Sequence, residues 1–212
     1  MLEKFNEMLV EANKKINLTG HKDYSTSWEN NILDSLLFDF PSSGKVLDLG
    51  SGCGCPAIPL KIKYPDLDVT MIDSVRKKVD FLNEAVKELG LERIHAVHCR
   101  IEDFVCHPER AKRTEGSSVA DFDIVTARAV AELPTLLEYA MPFLKIGGYL
   151  YAFKGINYQT EIDKSQNALK ILNAEITEIL QNENRYLLKI KKIKQTPKGY
   201  PRGKNLPRVK PL

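Results

Sequence analysis

Apolar positions along the chain change period in an order that predicts its elements. Leu2, Phe5, Leu9, Ala12 and Ile16 recur at spacings of three and four, which predicts an amphipathic N-terminal helix. A second short helix is predicted over 28–38, closed by Pro41 and Gly44. From there short apolar runs alternate with helical stripes. Strands are predicted over 45–50, 68–73, 95–100, 123–128 and 149–153, the last after a Gly147-Gly148 turn, with helices over 56–63, 75–89 and 132–141. The longest stripe, Val75, Val79, Leu82, Val86 and Leu89, leaves Arg76, Lys77, Asp80, Glu84 and Lys87 off it and stops at Gly90. Residues 107–120 contain Pro108, Gly116, Ser117 and Ser118 among scattered charges and read as an exposed, mobile loop. A helix over 161–172 and strands over 174–180 and 186–193, joined by a turn over 181–184, complete the pattern.

Alternating β-α units imply a doubly wound α/β fold: a mainly parallel sheet of about seven strands with right-handed crossovers, closed by a C-terminal antiparallel hairpin and preceded by helices. The 212 residues, 43% hydrophobic, suffice for one core, so a single domain is expected, with a helical cap over 1–44, a Rossmann-like core over 45–193 and a tail over 194–212. No apolar run approaches the roughly 18 residues of a membrane span, so a soluble, cytoplasmic protein without membrane contact is expected. The four cysteines fit neither a disulfide framework nor a zinc site and read as buried or loop thiols. Charge is unevenly placed. Ten of the 31 basic residues lie in the acid-free stretch 185–212, which leaves 21 against all 28 acidic residues in 1–184, a net of −7. A phosphate-rich partner would be drawn to the C-terminal segment, where Arg202, Lys204 and Arg208 are the candidate RNA contacts; a merely solubilising tail is the alternative.

The densest chemical signal is Val46-Leu47-Asp48-Leu49-Gly50-Ser51-Gly52-Cys53-Gly54-Cys55-Pro56, a buried strand running into a glycine turn and a helix. The spacing is Gly-x-Gly-x-Gly, and Cys55 stands where the dinucleotide fingerprint has its third glycine, so the turn points to S-adenosylmethionine rather than to a dinucleotide. Gly50 and Gly52 would let backbone approach the amino acid part of that cofactor, with amides of the following helix facing its carboxylate. Asp73, at the end of the second strand, is placed for ribose hydroxyls or for capping the next helix. Ile101 and Glu102, after the third strand, offer an apolar surface and a carboxylate for adenine, unless Glu102 is only a helix-start acid. Arg128, at the end of a buried strand, needs a ligand or a partner such as Glu132. Lys154, after the fifth strand, is a further candidate, with a surface lysine as its plain alternative.

Together these residues resemble the GidB/RsmG family of bacterial 16S ribosomal RNA methyltransferases. Matching segments are Asn17-Leu18-Thr19, Ile32-Leu33-Asp34-Ser35, the stretch 48–59, Ile72-Asp73-Ser74 with Lys77-Lys78 and Phe81-Leu82, Ala127-Arg128-Ala129-Val130, Lys154-Gly155 and Tyr200-Pro201-Arg202. Asn30-Asn31 stands where relatives usually carry Arg-His. The resemblance implies a class I methyltransferase fold, S-adenosyl-L-methionine as cofactor, 16S RNA or the small-subunit particle as partner, and a monomer. It places the cofactor pocket on Gly50, Cys55, Ile101, Glu102 and Arg128. It also implies methylation of one guanine at N7, which needs no general base, because that nitrogen presents an in-plane lone pair and carries no proton. Direct in-line attack is then expected, with no catalytic residue assigned and Arg128 as the candidate for positioning. An exocyclic-amine enzyme would carry Asn/Asp-Pro-Pro-aromatic where this chain has Thr126-Ala127-Arg128-Ala129. A small-molecule methyltransferase and a non-catalytic RNA-binding domain are the remaining alternatives.

Overall fold

Local periodicity carries over into the computed structural model, which describes residues 1–106, 121–203 and 205–212. The loop expected over 107–120 and the candidate Lys204 lie outside the described residues. The strands are β1 (Ser43–Leu49), β2 (Asp66–Asp73), β3 (Ile94–His98), β4 (Phe122–Arg128), β5 (Leu144–Lys154), β6 (Ala174–Asn182) and β7 (Arg185–Lys192). They form one seven-stranded sheet in the order β3-β2-β1-β4-β5-β7-β6. β1 and β2, β2 and β3, and β4 and β5 pair in parallel, whereas β7 runs antiparallel to both its neighbours. The chain divides into two compact units, Met1–Cys99 and Arg100–Leu212.

In the first unit, α1 (Leu2–Asn13) buries Phe5 and Leu9 together with a polar side chain, Asn6. Asn6 accepts a hydrogen bond from Ser27 Oγ at 2.7 Å and donates to the Tyr24 carbonyl at 3.0 Å, and Asn31 donates to Ser27 Oγ at 3.1 Å. Asn31, of the Asn30-Asn31 pair, is thus a buried link in this polar network. The second helix begins earlier than expected, as α2 (Tyr24–Ser27) capped by the Asp23 carboxylate, and continues as a π-helical turn over Trp28–Leu33. α3 (Ala57–Lys63) and α4 (Arg76–Glu88) follow β1 and β2. The stripe on α4 is shifted from expectation: Val75 is 44% exposed, while Phe81 and Ala85 join Val79 and Leu82 inside. The buried band widens because α4 packs on β2 and β3 and also against α1.

The second unit contains α5 (Ile101–Cys106), α6 (Leu133–Ala140), α7 (Tyr158–Lys164), α8 (Gln166–Ile171) and α9 (Leu206–Val209). Two expectations are corrected here. The helix predicted over 161–172 is two helices meeting at the buried Ser165, whose hydroxyl bonds back to the Glu161 carbonyl at 2.6 Å. Gly147-Gly148 is no turn before β5 but lies within the strand, where the register against β4 jumps between Phe122 and Ile124. Glycine is needed there because a Cβ on Gly148 would stand 2.9 Å from the Asp123 carbonyl oxygen.

β7 also holds a lysine that the charge count assigns to the basic C-terminal stretch. Lys192 is fully buried on the face shared with Leu188 and Ile190, and its Nζ donates to the Met141 and Leu144 carbonyls at 2.8 and 2.7 Å. Burial pushes its pKa down from 10.5 to about 8. The fold therefore holds fewer protons than the unfolded chain between those values, so unfolding free energy should rise with pH across about 8 to 10.5. Urea denaturation along that range should show a gain of about 3 kcal/mol from this group. Lys192→Met should lack that gain, and an identical pH slope in the variant would show that Lys192 does not carry it.

Candidate functional site

The glycine turn of the first unit is built on backbone conformations that L side chains rarely adopt. Gly50, Gly52 and Gly54 have φ of 62°, 52° and 90°. Their needs differ. A Cβ on Gly54 would meet Ile58 Cδ1 and Leu82 Cδ2 at 2.8 Å, so that glycine serves packing against α3 and α4. Among the described residues, a Cβ on Gly52 would find only the Gly50 carbonyl oxygen, at 3.7 Å, which leaves room over this residue for a ligand. The turn is pinned by Ser51, whose N–H donates to the Ile72 carbonyl at 3.0 Å and whose hydroxyl donates to the Asp48 carbonyl at 3.1 Å. Cys53 and Cys55 are buried thiols.

Asp73 closes this arrangement from the end of β2. One carboxylate oxygen accepts the Gly52 N–H at 2.9 Å and the other accepts the Val75 N–H at 2.8 Å, with the residue 8% exposed. The carboxylate therefore ties the turn after β1 to the turn after β2, and it supports the entry to α4 as well. Each oxygen retains a second lone pair, which is the acceptor capacity that a vicinal diol requires. Three of the expected cofactor residues, Gly50, Gly52 and Asp73, are thus brought together, with Cys55 five residues on from the first.

In the second unit, Ile101 and Glu102 are half-buried at the start of α5, and Glu102 Oε1 accepts the Tyr139 hydroxyl at 3.1 Å. Burial, followed by the neighbouring Glu102, pushes the Tyr139 hydroxyl pKa up, with Arg208 acting in the opposite sense. Arg128 ends β4, half-buried, and the next residue, Ala129, has a φ of 57°. Three of the residues expected to meet RNA, Lys154, Arg202 and Arg208, make hydrogen bonds within the protein. Lys154, its side chain 7% exposed, donates to the Ala131 carbonyl at 2.9 Å and to Glu161 Oε2 at 2.6 Å. Arg202 reaches Glu138 through Nε at 2.8 Å and Nη2 at 2.7 Å, and its backbone N–H adds a third bond at 2.7 Å. Arg208 is exposed and donates to the Val130 carbonyl at 3.1 Å. The segment after β7 packs onto α6, where Thr135 Oγ1 also donates to the Pro207 carbonyl at 2.8 Å.

Glu138 and Glu161 were not legible as site residues, although one of them left a signal. Glu138 is the single charge in the fully buried α6 sequence Leu-Pro-Thr-Leu-Leu-Glu-Tyr-Ala. A carboxylate in such a run requires a cation. Glu161 carries no comparable mark on an exposed-looking helix.

The sequence model of a family described as rRNA small subunit methyltransferase G, GidB, matches residues 1–188. A protein of Desulfitobacterium hafniense named ribosomal RNA small subunit methyltransferase G is 41% identical, over 100% of this chain and 89% of its own length. One of Streptococcus gordonii with the same name is 39% identical, over 99% of this chain and 90% of its own. Among solved structures, TYW2 of M. jannaschii in complex with AdoMet is similar in fold, with a TM-score of 0.58 at 17% identity over 85% of this chain and 80% of that one.

Proposed function

The chain belongs to the rRNA small subunit methyltransferase G family, and from that membership we propose that it methylates N7 of one guanine in 16S ribosomal RNA by direct in-line attack. As a member it is an S-adenosyl-L-methionine-dependent rRNA methyltransferase. When bound, the cofactor supplies an electrophilic methyl carbon on a sulfonium centre. The open space over Gly52 and the acceptor oxygens of Asp73 fit its amino acid and ribose parts. Gly50, Gly52 and Cys55 are the proposed lining for the former and Asp73 for the latter. Ile101 and Glu102 are proposed for adenine, and Arg128 for positioning.

The observation that carries the cofactor side is the Asp73 bridge, because it ties the turn after β1 to the turn after β2 and keeps acceptor lone pairs for a diol. On the acceptor side the chain has only to align and to exclude water. Guanine N7 has no proton to surrender, so no general base is asked of any residue, and alignment is worth up to roughly 7–11 kcal/mol when near-ideal. Because N7 must face the methyl group, the bidentate arginine grip on guanine O6 and N7 is not the mode of recognition in the reactive pose. The base is read as an unpaired nucleotide by its other edges and by stacking.

The test is to map modified nucleotides in ribosomal RNA from cells with and without the protein, using chain cleavage at 7-methylguanine. One protein-dependent cleavage in the small-subunit RNA is expected. Methylation at a different atom would overturn the N7 reading while leaving the family assignment untouched. A single-turnover rate that rises steeply with the ionisation of one enzyme group would overturn the direct-attack scheme.

A further inference from the structure

Val130, Ala131 and Leu133, in the loop after β4, are held in place by groups distant in sequence, and the arrangement goes beyond binding. Ala129 sits in the left-handed region at φ 57° without being glycine, a conformation that costs about 1–2 kcal/mol and persists only where neighbours enforce it. The next carbonyl, of Val130, accepts from Arg208, and the one after, of Ala131, accepts from Lys154. The first N–H of α6, on Leu133, donates to Glu161 Oε2 at 2.7 Å, and the same oxygen accepts from Lys154 at 2.6 Å. A single carboxylate oxygen therefore caps α6 and orients the lysine that holds the loop. Glu161 belongs to α7, and its side chain is only 18% exposed.

We propose that Lys154 and Glu161 are positioning residues for methyl transfer, fixing the loop that begins immediately after Arg128. The inference rests on the functional reading above and gives that loop its mechanical support. In parallel α/β sheets ligands lie beyond the C-terminal strand ends, which is where β4 delivers Arg128 and where β5 delivers Lys154. A lysine already neutralised by a carboxylate and almost wholly buried has little to offer a phosphate, since it has few counterions to release. Its measurable effect is on geometry. Displacement of a reacting group by about 1 Å costs on the order of a hundredfold in rate.

The full chain carrying Lys154→Met or Glu161→Gln is compared with wild type in single-turnover methylation of small-subunit RNA, alongside cofactor affinity by calorimetry and amide exchange of residues 129–133. Both variants are expected to lose roughly a hundredfold in rate at saturating cofactor and RNA while affinities for both change little, and exchange in the loop is expected to accelerate. Lys154→Arg, which keeps the charge and a donor, is expected to recover most of the rate. A phosphate-binding lysine predicts the opposite split. Lys154→Met would then raise the RNA KM and flatten its salt dependence, and Glu161→Gln would tighten RNA binding by releasing the cation. That pattern, or an unchanged rate, overturns the proposal. If Lys154→Met fails to fold, Glu161→Gln carries the test, because its amide oxygen still accepts from Leu133. Wild-type enzyme yielding no 7-methylguanine would count against the acceptor reading instead, and loop exchange would still decide the positioning role.

Discussion

Arg202→Met is expected to destabilise the protein by about 3–5 kcal/mol at neutral pH, the range found when one partner of a buried ion pair is removed. The asymmetry of the pair sets this size. Glu138 is completely buried, whereas the Arg202 side chain keeps 22% of its surface in solvent. Removing the arginine leaves a carboxylate deep in α6 that has lost both guanidinium bonds and cannot reach water. Removing the carboxylate leaves a guanidinium that can swing outward. Glu138→Gln should therefore cost less than Arg202→Met, the more so because its amide oxygen still accepts one of the two guanidinium bonds that methionine removes.

A double variant separates this account from loss of packing alone. Neutralising the stranded carboxylate should recover part of the loss, so Arg202→Met with Glu138→Gln is expected to be more stable than Arg202→Met alone. Chemical denaturation of the two single variants and the double variant checks this. Losses that simply add would point to lost packing instead. The same result bears on the C-terminal segment, whose backbone at Arg202 also bonds Glu138. Counting charges makes that segment a solvated basic tail, but Arg202 fastens it to the core of its unit.

What the sequence revealed depended on the distance over which each cause acts. The β-α rhythm was legible because Val79, Leu82 and Leu89 repeat within one helix and because the strand runs are bounded by local turn residues. The glycine turn was legible because the left-handed conformations at Gly50, Gly52 and Gly54 leave a glycine signature in the chain itself. Gly147-Gly148 misled for a related reason. Glycine marks either a turn or a close approach, and here it was the Asp123 carbonyl, on the neighbouring strand, that required it. Lys192 was counted among the tail cations although its inward alternation with Leu188 and Ile190 was there to be read. The pairs Glu138–Arg202 and Leu133–Glu161 join residues 64 and 28 positions apart, and no local pattern encodes them. The positions of Lys154 and Arg202 in family motifs were therefore visible, while the work they do inside the fold was not.

Asp73→Asn is expected to weaken S-adenosylmethionine binding by about a hundredfold, while the rate at saturating cofactor stays within a few-fold of wild type. The carboxylate has two duties in the proposed scheme. It accepts the Gly52 and Val75 N–H groups, and it presents its remaining lone pairs to the ribose. An amide matches only one of the two oxygens, so one backbone donor is left facing an NH2 group, and charge-assisted bonds give way to neutral ones. With hydrogen bonds to charged groups worth about 1.5–3 kcal/mol, loss of one such bond and weakening of another accounts for the hundredfold. Ribose is common to cofactor and demethylated product, so S-adenosylhomocysteine should lose affinity by the same factor. Equal losses are the signature of a contact made alike in ground and transition states, which raises KM and spares kcat. If Asp73 only supports the two turns, the melting temperature should fall while the affinity of the folded variant for both nucleosides is retained. Calorimetric titration of each nucleoside, below the melting temperature of the variant, distinguishes the two roles because the turn-support role predicts no change in either affinity.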